Sequence, residues 1–161
     1  ALEEPPYFNT EYMGSYIHAK ALKRQKSNVK AVFILDSVGY FDENFVQNYP
    51  MGLKWIYPQH ANFIASIGHL SSAALAGQFC EAMQQRRRLE CQRLVTPTFM
   101  QIADFSGYIN YAKLDFPTVL ISDTAYYRYP YYNTEQDTLD RLNLQKMSYV
   151  IDGLVQTVLM Q

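Results

Sequence analysis

Adjacent carboxylates at Glu3 and Glu4, and a third at Asp36, are the residues whose type and placement best suit chemistry in this chain. Neighbouring carboxylates repel, so a pair fixed in a cleft needs a cation or a shared proton to relieve it. Glu3 and Glu4 precede Pro5-Pro6 and a helix, which puts them in a loop rather than on a helical face. A solvated loop carries such pairs too, because glutamate is seldom buried. Asp36 directly follows an apolar run, and in open α/β sheets ligands collect outside the carboxyl ends of strands. His18, His60 and His69 have no HExxH or other paired spacing, and each is expected to be structural or solvent-exposed. There is no glycine-rich phosphate loop and no GxSxG turn, and Ser106-Gly107 alone does not name a hydrolase.

The elements that must hold these residues follow from the apolar pattern. Residues 29 to 35, Val-Lys-Ala-Val-Phe-Ile-Leu, read as a strand buried on both faces. A second strand is expected at Phe63 to Ile67, closed by Gly68, and a third at Thr118 to Ile121, just after Pro117. Thr10 can cap a helix reaching about Gln25, with Met13, Ile17 and Ala21 on its buried face. Ser71 or Ser72 can start another, with Leu75, Phe79, Ala82 and Met83 inward and Arg86, Arg87 and Arg88 near its C-terminus, where positive charge suits the helix dipole. After Asn143 as cap, Met147, Val150, Ile151, Leu154 and Val158 mark a last helix. Strands alternating with helices predict an α/β fold, a mixed sheet with helices on both faces. Three strands apolar on both faces need more neighbours than this chain clearly supplies. Residues 1 to 161 are therefore read as one domain or part of one, with an open sheet edge that a partner could cover.

Composition narrows the classes. The chain has 161 residues, is 48% hydrophobic and 18% charged, and has a formal net charge of -1, within the range of ordinary globular proteins. That charge argues against a dedicated nucleic-acid binder, which needs a broad excess of Lys and Arg. No apolar run approaches the ~20 residues of a membrane span, and the first residues do not read as a signal peptide. The compartment stays open. Ala1-Leu2 opens the sequence without an initiator methionine, consistent with a processed or truncated start. Cys80 and Cys91 are too far apart for a CxxC motif and are expected as buried free thiols. Residues 126 to 132, Tyr-Tyr-Arg-Tyr-Pro-Tyr-Tyr, could line an aromatic pocket or interface, or wall a loop with amphipathic side chains.

Four segments in register carry a resemblance. They are Leu2-Glu3-Glu4-Pro5-Pro6-Tyr7-Phe8 with Thr10-Glu11-Tyr12-Met13-Gly14-Ser15, then Ile34-Leu35-Asp36-Ser37-Val38-Gly39-Tyr40-Phe41, then Phe116-Pro117-Thr118-Val119 through Ser122-Asp123-Thr124-Ala125, and last Tyr132-Asn133-Thr134-Glu135-Gln136-Asp137-Thr138. Together they resemble the later half of the di-zinc aminopeptidase family, from about residue 2 to residue 155. The resemblance implies zinc as cofactor, Glu3 as the general base acting on a metal-bridging water, and Glu4 and Asp36 as metal ligands. Tyr108, Tyr131 and Tyr132 are candidate substrate-binding residues. Asn133 stands where the family has a histidine ligand, and a neutral amide oxygen is a much weaker zinc donor than imidazole. Ser106-Gly107-Tyr108 replaces the family's Ser-Asp-His, and the family's first histidine and bridging aspartate would precede Glu3.

The resemblance therefore implies a degenerate or incomplete aminopeptidase-like domain that binds a peptide or another protein subunit, with zinc binding weak or absent. Two other readings remain open. One is an active exopeptidase whose upstream half lies outside this chain, and the other is a structural subunit of a larger assembly.

Overall fold

A computed structural model describes residues 3 to 50, 52 to 97 and 106 to 161. Ala1 and Leu2, the latter part of the double-glutamate segment, lie outside the described residues. In chain order the elements are α1 (Gly14–Arg24), β1 (Val32–Leu35), β2 (Asp42–Val46), β3 (His60–Ala61), β4 (Phe63–His69), α2 (Ala73–Arg86), β5 (Glu90–Thr96), α3 (Tyr108–Ala112), β6 (Thr118–Ser122) and α4 (Leu144–Leu159). Four strands form a mixed sheet in the order β1-β6-β4-β5, while β2 and β3 form a separate antiparallel pair. Within the main sheet β1 is parallel to β6, β6 antiparallel to β4, and β4 parallel to β5.

Side chains alternate across this sheet and feed two cores. On one face Ile64, Cys91, Val119 and Ile121 pack with Leu75, Phe79 and Met83 of α2 and Val150 of α4. On the other, Phe63, Ala65, Ile67 and Leu120 pack with Tyr108 at the start of α3. Both faces are thus covered by helices, as the strand and helix alternation predicts. Helix α4 begins at its expected cap, the Asn143 side chain accepting a hydrogen bond from Lys146 N at 2.9 Å. It lies against α2 so closely that a Cβ at Gly153 would collide with the Met83 sulfur.

Several expectations change in three dimensions. The run at residues 29 to 35 yields a strand only over Val32–Leu35, and it is half-buried rather than buried on both faces. The reason is its place at the rim, where it pairs with β6 alone. Strand β4 continues through Gly68 to His69, which is buried. Helix α1 starts at Gly14 rather than near Thr10, and it buries Ser15 and Ala19. Met13 is buried beside it as expected, but Ile17 faces solvent. Ile151 and Val158 of α4 are likewise exposed. Cys80 and Cys91 are not free thiols, because they form a disulfide joining α2 to β5. Strand β5, with Glu90, Gln92 and Arg93, has too polar a sequence to be read as a strand beforehand.

Candidate functional site

Parallel pairing of β1 and β6 puts their carboxyl ends on one side of the sheet, so Asp36 and Asp123 emerge as near neighbours. Asp123 turns inward. Its Oδ2 accepts from Gly39 N at 3.0 Å and Tyr40 N at 2.8 Å, and its Oδ1 from Ala125 N at 3.0 Å. Burial pushes its carboxyl up to about 6, against the opposing pull of these N–H groups and of Arg128. The Arg128 side chain is itself 1% exposed and bonds Gln47 Oε1 and the carbonyls of Tyr40 and Phe63. This is a buried polar scaffold that ties the loop after β6 to the loop after β1.

Asp36 instead faces a cleft of about 680 Å³. Glu3, Glu4, Ser15, His18, Asp36, Tyr132 and Asn133 line it, so it gathers segments from both ends of the chain. Burial raises the Asp36 carboxyl above its ordinary value, Ser37 Oγ at 3.3 Å pulls it back, and the Glu4 charge raises it further. Burial likewise raises the Tyr132 hydroxyl, and the charges of Asp36 and Glu4 add to that. An acidic pair and an aromatic wall thus act on one another across the cleft.

Glu3 is fixed by the start of α1. Ser15 N donates to its Oε1 at 2.6 Å and Ser15 Oγ to its Oε2 at 2.6 Å. Met13, at the cap position, makes no side-chain cap bond, so Glu3 satisfies one of the N–H groups that a helix start leaves open. The helix dipole also favours negative charge there. Asn110 Nδ2 in turn donates to Ser15 Oγ at 2.7 Å. Gly107 completes the seat, because a Cβ there would lie 3.2 Å from Glu3 Oε2 and 3.1 Å from Ser15 Oγ. Glu3 is therefore a helix-capping group as well as a cleft carboxylate. Its two oxygens retain lone pairs for a further donor.

Of the residues expected at the site, Glu3, Glu4, Asp36, Tyr132 and Asn133 line the cleft together. Tyr108 and Tyr131 do not. Tyr108 is 1% exposed, and its hydroxyl accepts from His69 N at 3.0 Å. The Tyr131 ring lies under the Arg141 guanidinium at 3.7 Å and beside Tyr129. His18 is solvent-exposed, as expected, and it also lines the cleft, with Nδ1 2.8 Å from Tyr111 Oη. Its spacing of three and four residues from Ser15 and Gly14 on α1 was the available signal, since such positions share a helical face.

The donor set does not make a zinc site by itself. Tetrahedral zinc takes four imidazole, thiolate or carboxylate donors, or three and an open position. Here the cleft offers Glu3, Glu4, Asp36, the His18 imidazole and the Asn133 amide, yet among the described residues no group of three or more His, Cys, Asp or Glu is placed to hold a metal ion. The residues present do not fit resident zinc.

No known protein-family model matches the sequence. The chain is 40% identical over 157 residues to the uncharacterized protein YfbL of Escherichia coli (strain K12), a match covering 96% of this chain and 48% of YfbL. It thus spans about half the length of that relative. Two crystal structures of the Legionella pneumophila aminopeptidase LapA superpose with TM-scores of 0.63 and 0.66 at 18% identity, over 89% and 91% of this chain but 33% and 35% of LapA. The aminopeptidase from Aneurinibacillus sp. strain AM-1 superposes with a TM-score of 0.60 at 19% identity, over 90% of this chain and 29% of its own. The fold is aminopeptidase-like, and it corresponds to about a third of those enzymes.

Proposed function

We propose that this chain is part of an aminopeptidase-like domain, degenerate or incomplete as a peptidase, whose acidic cleft binds the amino-terminal end of a peptide without cleaving it. The observation that carries this reading is the convergence of Glu3, Glu4, Asp36, Tyr132 and Asn133 on one cleft beside the carboxyl end of β1. Three carboxylates there attract a cation. A peptide amino terminus supplies one, and Tyr126 and Tyr132 offer apolar ring surface to its first side chain. Glu3 keeps the position that the resemblance gives a base, while Asn133 puts a weaker amide donor where the resemblance expects an imidazole.

Calorimetry with a short peptide bearing a free amino terminus tests the reading. Binding should weaken at least tenfold when the peptide is N-acetylated, and again in Asp36→Asn. Equal affinity for free and acetylated peptide would sink it.

A second reading is favoured by the coverage of the relatives. YfbL is about twice as long as the matched region, so a further segment could bring the missing donors to the same cleft and make it catalytic. In that case Glu3, Glu4 and Asp36 keep the roles that the resemblance implies.

A further inference from the structure

The acidic cleft is not uniform along its length. At one end the charge of Glu4 acts on Asp36 and Tyr132. Glu3 is bound to Ser15 N and Oγ, and its charge acts on Tyr111 instead. His18 follows Ser15 on α1, about 4.5 Å further along the helix axis. It lines the cleft together with Tyr111, and it is the one basic side chain among the described residues that do so. The cleft therefore runs from an acidic pair, past a single carboxylate, to an imidazole.

Tyr111 fixes that imidazole. Its side chain is buried, and burial holds its hydroxyl above the ordinary phenol value, so it keeps its proton at neutral pH. Among the described residues the hydrogen-bond partner of this hydroxyl is His18 Nδ1 at 2.8 Å, and the two rings meet edge to face at 5.9 Å. In the neutral ring the O–H donates to Nδ1 and the ring proton sits on Nε2. In the charged ring both nitrogens carry a proton, so Nε2 is a donor in either state. Nε2 has no protein partner among the described residues, and the His18 side chain is exposed, which leaves that N–H open to a ligand.

We propose that His18 is a ligand-binding residue of this cleft, and that it takes the free carboxylate of a peptide two or three residues long. The ammonium of that peptide lies at Glu4 and Asp36, and its first peptide N–H reaches a lone pair that Ser15 leaves free on Glu3. Ammonium, N–H and carboxylate follow one another in the ligand as acidic pair, carboxylate and imidazole do in the cleft. A hydrogen bond to an ionised carboxylate is roughly twice as strong as one between neutral groups. The cleft, at about 680 Å³, is also of the size that holds a small ligand rather than a long chain. This inference rests on the peptide-binding reading and narrows it to short peptides with both ends free.

Calorimetry that compares leucyl-glycine with its C-terminal amide and its N-acetyl form tests it. Leucyl-glycine should bind at least tenfold more tightly than either. His18→Leu should abolish the preference for carboxylate over amide and keep the loss on N-acetylation, while His18→Gln, which retains an N–H donor, should keep at least a threefold preference. In the unmodified chain the His18 ring nitrogen resonances should shift on adding leucyl-glycine and move little with the amide, a readout independent of how well a variant folds. Equal binding of acid and amide with the N-acetyl loss intact, a carboxylate preference that survives His18→Leu, or unmoved His18 resonances overturns the inference and leaves the peptide reading standing. Equal binding of the free and N-acetyl forms overturns both.

Discussion

Strands β1 and β6 run parallel, side by side, and each leads into an aspartate, yet the two carboxylates end in different worlds. Asp123 after β6 is buried and accepts three backbone N–H bonds. Asp36 after β1 accepts a bond from its neighbour Ser37 Oγ and looks into an open cleft shared with Glu4. Every residue of β6 is buried, whereas those of β1 are half-buried or exposed. An aspartate at the carboxyl end of a strand is therefore not by itself a site residue. What separates the two is which N–H groups close on the carboxylate, because Gly39 N and Tyr40 N of the loop after β1 and Ala125 N of the loop after β6 all converge on Asp123.

The largest expected effect is on Asp123. Asp123→Ala would strand three buried donors, roughly 6 kcal/mol in all at about 2 kcal/mol each, while removing its buried charge at neutral pH returns about 3, so a net loss of about 3 kcal/mol is expected. Asp36→Ala should change stability by no more than about 1 kcal/mol, since it relieves burial and repulsion from Glu4. Urea midpoints at neutral pH compare them directly. Equal losses would erase the distinction between scaffold and cleft.

A second contrast lies in pH. The folded-state value of Asp123, about 6, stands above its ordinary 3.8, so the folded state binds the proton more tightly. Its contribution to stability is fully present below about pH 4 and is lost as pH rises through 6. At ~1.4 kcal/mol per unit, that loss amounts to about 3 kcal/mol. Asp36 shifts in the same direction. Unfolding of Asp123→Asn between pH 4 and 7 should show a flatter profile than the parent chain, and an unchanged slope would place the dependence elsewhere.

Between the strands themselves a smaller difference is expected. Ile121→Ala in β6 empties a fully buried position and should lose about 3 kcal/mol, while Ile34→Ala in β1 should lose about 1. Equal losses at the two positions would contradict the difference in burial between β1 and β6.

Much of this architecture was legible because apolar runs and helical periodicity survive in the central elements. Strands β4 and β6 and the inward faces of α2 and α4 follow from that pattern. Strand β5 escaped it, since an edge strand needs few apolar residues and advertises charge instead. Ile17, Ile151 and Val158 look like core residues because periodicity reports which side is apolar, not whether anything lies against it. The Cys80–Cys91 disulfide depends on α2 and β5 meeting side by side, which spacing alone does not reveal. At the cleft, Glu3, Glu4, Asp36, Tyr132 and Asn133 were found through the four matched segments. Tyr108 and Tyr131 illustrate the limit of that route, since adjacency in sequence to a cleft residue does not fix the direction of a side chain.

We propose that this chain carries part of an aminopeptidase-like site and does not complete it alone. Metal analysis after exhaustive dialysis, followed by hydrolysis of an amino-acyl anilide with added zinc, tests it in the unmodified chain and in Asn133→His. Less than one zinc per chain and no turnover are expected in the unmodified protein. Stoichiometric zinc together with turnover in that protein would contradict it.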